Sequence, residues 1–161
     1  MFTIIDNFLN KNEFNLIKKV FLSEEINWHY SKNIYQNIKE TEFGHNFLCH
    51  MIYQNNQVVS PHFNLLQPIL KKLESKALIR MKVNMYLNQG KYIEHRLHKD
   101  FLFKHKTALY HLNTNNGHTV IGDNRIESIE NRIVLFDGSI NHSSTNCTNV
   151  NRRLNINLNY F

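Results

Sequence analysis

Residues 153–160 read Arg-Leu-Asn-Ile-Asn-Leu-Asn-Tyr, and no other stretch constrains the fold of this chain so tightly. Side chains on a β-strand alternate between two faces. Leu154, Ile156, Leu158 and Tyr160 therefore share one face, while Arg153, Asn155, Asn157 and Asn159 share the other. The apolar face suits packing under helices. The polar face then lines the interior of a barrel, where Arg153 needs an anionic partner because an unpaired buried guanidinium is costly. A carboxylate matches its planar fork of donors. Arg152 points the other way and is expected to be exposed.

The rest of the second half is also strand-like. Residues 79–87, 106–112, 118–121 and 131–136 are rich in β-formers, and Asn115-Asn116-Gly117 and Asp137-Gly138 read as turns between them. The first third is partly helical. Asn10 and Glu13 form a capping-box pattern ahead of Phe14, Ile17, Val20 and Phe21, which recur at helical spacing. A second helix is expected from Ser60-Pro61 to Glu74, and Pro68 must either bend it or begin it. Trp28 and Tyr30 are expected to pack in the core. Helices followed by many short strands define an α+β domain with a sandwich or barrel, its helices covering one face. With 161 residues, five glycines, two prolines and no repeat or linker, one domain is expected: a helix-rich support over 1–76 and a β core over 77–161.

The net charge of +6 raises a nucleic-acid reading. The basic residues are scattered, however, with none of the aromatic-interleaved stripe of a single-strand binder. A positive field equally suits dicarboxylates. No apolar run approaches the ~20 residues of a membrane span, and the first residues lack a signal-peptide pattern. Cys49 and Cys147 have no CxxC spacing, so a reducing cytoplasm is expected rather than a disulfide framework.

Three polar features can carry chemistry. In an extended segment His98 and Asp100 of His98-Lys99-Asp100 point the same way and can reach one ion together. His142 follows the strand ending at Phe136 and the Asp137-Gly138 turn, and Arg153 opens the last strand. Two imidazoles and one carboxylate on one face of a metal leave positions vacant, the arrangement of Fe(II) oxygenases. With ten histidines in the chain, chance alone gives an HxD match in roughly one such sequence in four, so the order of the elements carries more weight than the motif.

In that order the sequence resembles the 2-oxoglutarate- and Fe(II)-dependent oxygenase superfamily, particularly its prolyl-4-hydroxylase-like branch, over about residues 79–161. The family pattern is HxD, a distal His, and a basic residue soon after it. Here these are His98-Lys99-Asp100, His142 and Arg153, with Asn155 where relatives have Ser. Residues 107–113, 116–120 and 131–136 look like the intervening family strands. Tyr92-Ile93-Glu94-His95 also looks like an approach to a metal His, but Leu97 two residues on cannot bind iron, so His98 is preferred. The resemblance implies a double-stranded β-helix of the jelly-roll kind. It further implies Fe(II) on His98, Asp100 and His142, 2-oxoglutarate on Arg153, O2 as oxidant, and ascorbate as an accessory reductant. Tyr86 is a candidate cosubstrate contact. Relatives often carry a Tyr on the strand after HxD; facing inward there, this chain has His111. The implied reaction is hydroxylation of a peptide or protein side chain such as proline, or of a small molecule. The alternatives are a nucleobase-oxidising dioxygenase and a non-catalytic jelly-roll binding module.

Overall fold

The alternating segment forms β11 (Arg152–Tyr160), the middle strand of a large antiparallel sheet. On one side lie β6 (Lys106–His111), β9 (Ile133–Asp137) and the edge strand β1 (Phe2–Ile5). On the other lie β5 (Leu78–Leu87), β3 (Phe47–Gln54) and β2 (His29–Ser31), with the two-residue β4 (Gln57–Val58) pairing off β3. A smaller sheet runs β10 (His142–Ser144), β7 (Asn115–Ile121), β8 (Asn124–Ser128). This computed structural model describes residues 1–31 and 45–161.

The two faces of β11 meet different surroundings. Leu154, Ile156, Leu158 and Tyr160 enter the main hydrophobic core with Phe14, Ile17 and Phe21 of α1 (Lys11–Leu22). Ile17 and Phe21 are fully buried, each contributing about 1.5–3 kcal/mol relative to exposure. The start of α1 is fixed by the reciprocal Asn10–Glu13 capping box. After a 3-10 turn at Pro61–Leu66, α2 (Gln67–Lys72) begins with Pro68 in its first turn, where a missing N–H costs nothing. The opposite face of the sheet packs on the small sheet through a second cluster, in which Leu109, Val134 and Phe136 meet Ile121 and Ile126.

Several expectations need correction. Residues 1–76 are more than a helical support, because β1 and β3 are strands of the large sheet. Asn115-Asn116-Gly117 is not a turn but the bulged start of β7, where Gly117 N–H bonds the Asn115 side chain. The tight turn lies at Gly122-Asp123, with Gly122 at a positive φ of 57°. Arg152 is half-buried rather than exposed: its Nη2 donates to the Leu22 carbonyl at 2.6 Å and caps the end of α1. Trp28 packs against the main core, but Tyr30 is 64% exposed. No helix among the described residues is long and apolar enough to cross a membrane.

Candidate active site

Cross-strand registry sorts the inner face of the large sheet into rows. Across β5 and β11, Tyr86 lies opposite Arg153, Asn84 opposite Asn155, Lys82 opposite Asn157 and Arg80 opposite Asn159. On the other flank Asn155, Asn157 and Asn159 face His111, Leu109 and Thr107 of β6. The rows interact within themselves. The Arg153 guanidinium lies 5.3 Å from the Tyr86 ring centroid, Asn84 Nδ2 donates to Asn155 at 3.2 Å, and Arg80 Nε donates to Asn159 Oδ1 at 3.1 Å.

At the Arg80 end sit His98, Asp100 and His142, whose candidate ligand atoms all lie within 4.8 Å of one another. Asp100 and His98 lie on an irregular extended segment rather than in a regular strand. That segment is pinned by two isolated bridges, Glu94 with Thr145 and, at the cluster itself, His98 with His142, where His98 N–H donates to the His142 carbonyl at 2.9 Å and His142 N–H donates back at 2.8 Å. The second bridge sets the two imidazoles 4.4 Å apart, centroid to centroid. Asp100 Oδ2 faces His142 Nε2 at 3.9 Å.

Electrostatics sets the charge state of these groups. Burial, with His142 as the next cause, lowers the His98 pKa to about 4. Burial likewise lowers that of His142, against the pull of Asp100. Burial by itself would raise Asp100, but Arg80, His142 and Lys82 outweigh it and hold the carboxyl far below its ordinary range. At neutral pH the triad is two neutral imidazoles and a carboxylate, the protonation state a divalent metal requires. Lys82 stands at the mouth over the Phe47 ring, and burial followed by Arg80 pushes its ammonium down to about 8. The recess against His98 and Asp100 measures ≈ 110 Å³, while a larger groove of ≈ 760 Å³ lies on the helix side of the sheet. The larger groove contains none of the triad, so its size does not make it the reaction site.

At the other end, Arg153 is fully buried. Its three nitrogens donate to Ser128 Oγ (2.7 Å), the Thr145 carbonyl (3.0 Å) and Thr119 Oγ1 (3.0 Å), with no carboxylate partner among the described residues. Gly117 passes so close that a Cβ there would meet Arg153 Cδ at 2.6 Å, so the glycine serves this approach. His111 is fully buried nearby, and neither ring nitrogen has a partner among the described residues. Asn84 Oδ1, Asn157 Oδ1 and Ser143 Oγ are similarly unsatisfied. Buried polar atoms rarely stay unpaired, so a ligand or ordered water has to serve this face. Tyr86 links the two ends, since its ring lies under Arg153 and it lines the recess with His98 and Asp100. His95, outside the triad, stacks on Tyr86 at 5.3 Å and bonds Ser144 Oγ through Nδ1.

Sequence reasoning missed Arg80, Lys82 and the roles of Asn157 and Asn159. The alternation Arg80-Met81-Lys82-Val83 carried the signal, because it places both cations on one strand face.

The histidines also predict a pH response. Burial is the leading cause of the lowered pKa at His50, His98, His111, His118 and His142. Below about pH 6.5 the unfolded chain therefore takes up protons that the folded chain refuses, and stability falls with pH. Each withheld proton contributes up to about 1.4 kcal/mol per pH unit. The urea midpoint of the metal-free protein should drop from pH 7 to pH 5, and His111→Phe should make that drop shallower. A midpoint flat across this range would contradict the buried neutral histidines.

No protein-family model matches the chain, and no curated protein matches it by sequence. Solved structures do match over nearly its whole length. Two facing antiparallel sheets with helices on the outer face form a double-stranded β-helix, the fold of 2-oxoglutarate- and Fe(II)-dependent oxygenases. One such structure is a prolyl hydroxylase from Trichoplax adhaerens in complex with a peptide fragment of the hypoxia-inducible factor oxygen degradation domain. It superposes with a TM-score of 0.70 at 16% identity, over 99% of this chain and 83% of that one. A 2OG-Fe(II) oxygenase family oxidoreductase from Burkholderia pseudomallei gives 0.70 at 14%, over 99% and 84%. An α-ketoglutarate-dependent non-heme epimerase from nogalamycin biosynthesis gives 0.69 at 14%, over 99% and 77%.

Proposed function

We propose that this chain is an Fe(II)- and 2-oxoglutarate-dependent dioxygenase that hydroxylates a side chain of a peptide or protein, such as a prolyl ring. The observation that carries this reading is Arg153: a fully buried cation with no acidic partner among the described residues, on the same inner sheet face as the residues around a two-His, one-carboxylate cluster. One fold hosts several reactions, so these side chains, rather than the likeness, carry the reading.

The residues present fit both groups. His98, Asp100 and His142 would hold Fe(II), being already in the protonation state a metal needs. Arg153 would pair with the distal carboxylate of 2-oxoglutarate, with His111 and the Tyr86 hydroxyl as further donors. Bound there, the pair would supply the oxidising chemistry, in which 2-oxoglutarate and O2 become succinate and CO2 while one oxygen atom enters a substrate C–H bond. The protein's own part is to orient these groups, keep His98 and His142 neutral, and exclude water with the apolar wall of Leu109, Val134 and Phe136.

A recess of ≈ 110 Å³ suits one side chain or a small molecule entering from outside. The peptide bound by the Trichoplax adhaerens neighbour favours the side-chain reading. Two cysteines without a disulfide, Cys49 and the buried Cys147, accord with a reducing, cytoplasmic setting.

The first test is anaerobic titration with Fe(II) and then 2-oxoglutarate, followed by visible absorption. A weak charge-transfer band that needs both additions is the expected result. Its absence from folded protein would favour the non-catalytic binding module.

A further inference from the structure

The carboxylate of Asp100 is held more elaborately than a metal ligand requires. Arg80 Nη2 donates to Oδ1 at 2.7 Å, while Oδ2 accepts from Asn159 Nδ2 at 2.8 Å and more loosely from Asn157 Nδ2 at 3.3 Å. Arg80 and Asn159 are directly opposite each other on β5 and β11, and Arg80 Nε donates to Asn159 Oδ1 at 3.1 Å. The contacts close a ring: Arg80 to Asp100, Asp100 to Asn159, Asn159 back to Arg80. Asn159 is fixed in turn by Thr107 Oγ1 at 2.9 Å and His105 Nε2 at 3.3 Å. The guanidinium lies on the Phe101 ring at 4.7 Å, so both its edge and its face are held.

The ring treats the two carboxylate oxygens differently. Oδ2 is the one turned toward His142 Nε2. Oδ1 is held by a charge-assisted bond in a nearly buried ion pair, with Asp100 only 4% exposed. We infer that Arg80 is a positioning residue that keeps Asp100 a one-oxygen ligand by withholding Oδ1 from the metal. This rests on reading the triad as the Fe(II) site. Two imidazoles and one carboxylate oxygen leave half of a six-position shell open, enough for a chelating 2-oxoacid and O2. A carboxylate binding through both oxygens would fill one of those positions and leave no place for O2. The cation would also lie close to a metal held there and would weaken its binding, so the clamp would exchange affinity for an open position.

The opposing effects separate this role from simple structural support. Co(II) serves as the probe, because its visible absorption reports coordination number without turnover. Arg80→Gln and Arg80→Met, the latter keeping an apolar stem against Phe101, should bind Co(II) several-fold more tightly than wild type. With 2-oxoglutarate added, their Co(II) bands should weaken toward a filled six-position shell, while wild type keeps the stronger absorption of an open one. Arg80→Lys keeps a donor and a charge at Oδ1 and should restore the wild-type spectrum. Weaker Co(II) binding in the first two variants, with unchanged band shape and a loss of thermal stability, would make Arg80 a structural residue only. Failure of the wild type itself to bind Co(II) would overturn the metal reading of the triad, and this inference with it.

Discussion

Arg153→Met protein is expected to bind 2-oxoglutarate about 100-fold or more weakly, while its metal-free form is no less stable than wild type by more than about 1 kcal/mol. Ordinarily the loss of a fully buried, hydrogen-bonded arginine is destabilising. Here the arginine has no acidic partner among the described residues, and burial alone lowers its pKa. Replacing such a cation with an apolar side chain of similar length removes a desolvation penalty. Ser128 and Thr119 can rotate their hydroxyls to other partners, so the main loss is the donor to the Thr145 carbonyl, about 1 kcal/mol. The cosubstrate loses much more, because each charge-assisted bond to its carboxylate contributes about 1.5–3 kcal/mol. Calorimetric titration of the metal-loaded protein measures the affinity. In thermal melts, 2-oxoglutarate should raise the wild-type midpoint and leave the variant's unchanged. Arg152→Ala should leave the affinity alone, since Arg152 turns outward to cap α1. A variant that unfolds, or that binds 2-oxoglutarate normally, would recast Arg153 as a structural cation.

His142→Ala protein should lose more than about 100-fold in Fe(II) affinity, since even outer partners of metal ligands are worth 10–100-fold. Its fold should survive. The substitution removes an imidazole that burial already disfavours in the charged form, and leaves a small gap beside the Phe136 ring, 4.9 Å away. Asp100→Ala should abolish metal binding equally but with a different stability signature. It leaves Arg80, Asn157 and Asn159 without their common acceptor, at a cost of about 1–3 kcal/mol. Anaerobic Fe(II) binding and urea denaturation on both variants separate the two effects. Undiminished metal binding by either one would break the triad.

The sequence made some of this legible and hid the rest for identifiable reasons. β11 could be read because its two faces differ chemically at every step, Leu and Ile against Asn and Arg. The start of α1 could be read because a capping box is a local pattern. The pairing that brings His98 against His142 is long-range, and nothing local in either segment announces it. Asn115-Asn116-Gly117 misled because its glycine answers to the stem of Arg153 rather than to a turn. Arg80 and Lys82 are not distinctive in the sequence, because alternating cations suit a solvent-facing strand equally well. Only the placement of β5 between β3 and β11 turns them inward. β1 is four residues long, too short for periodicity to separate it from a loop.

The central position of β11 also governs how the molecule comes together. Tyr160 must pair with both Leu78 and Lys106, so the strand that joins the two halves of the sheet follows both of its neighbours in the chain. Such non-local pairing places folding in the slow range of small domains, about milliseconds to seconds. During synthesis β5 and β6 present open edges until residues 152–160 emerge, which makes this interval the period of greatest aggregation risk. The same strand brings Asn157 and Asn159 to Asp100. Closing the sheet and completing the clamp are therefore one event, and a nascent chain that holds His98, Asp100 and His142 cannot yet present them as a finished site.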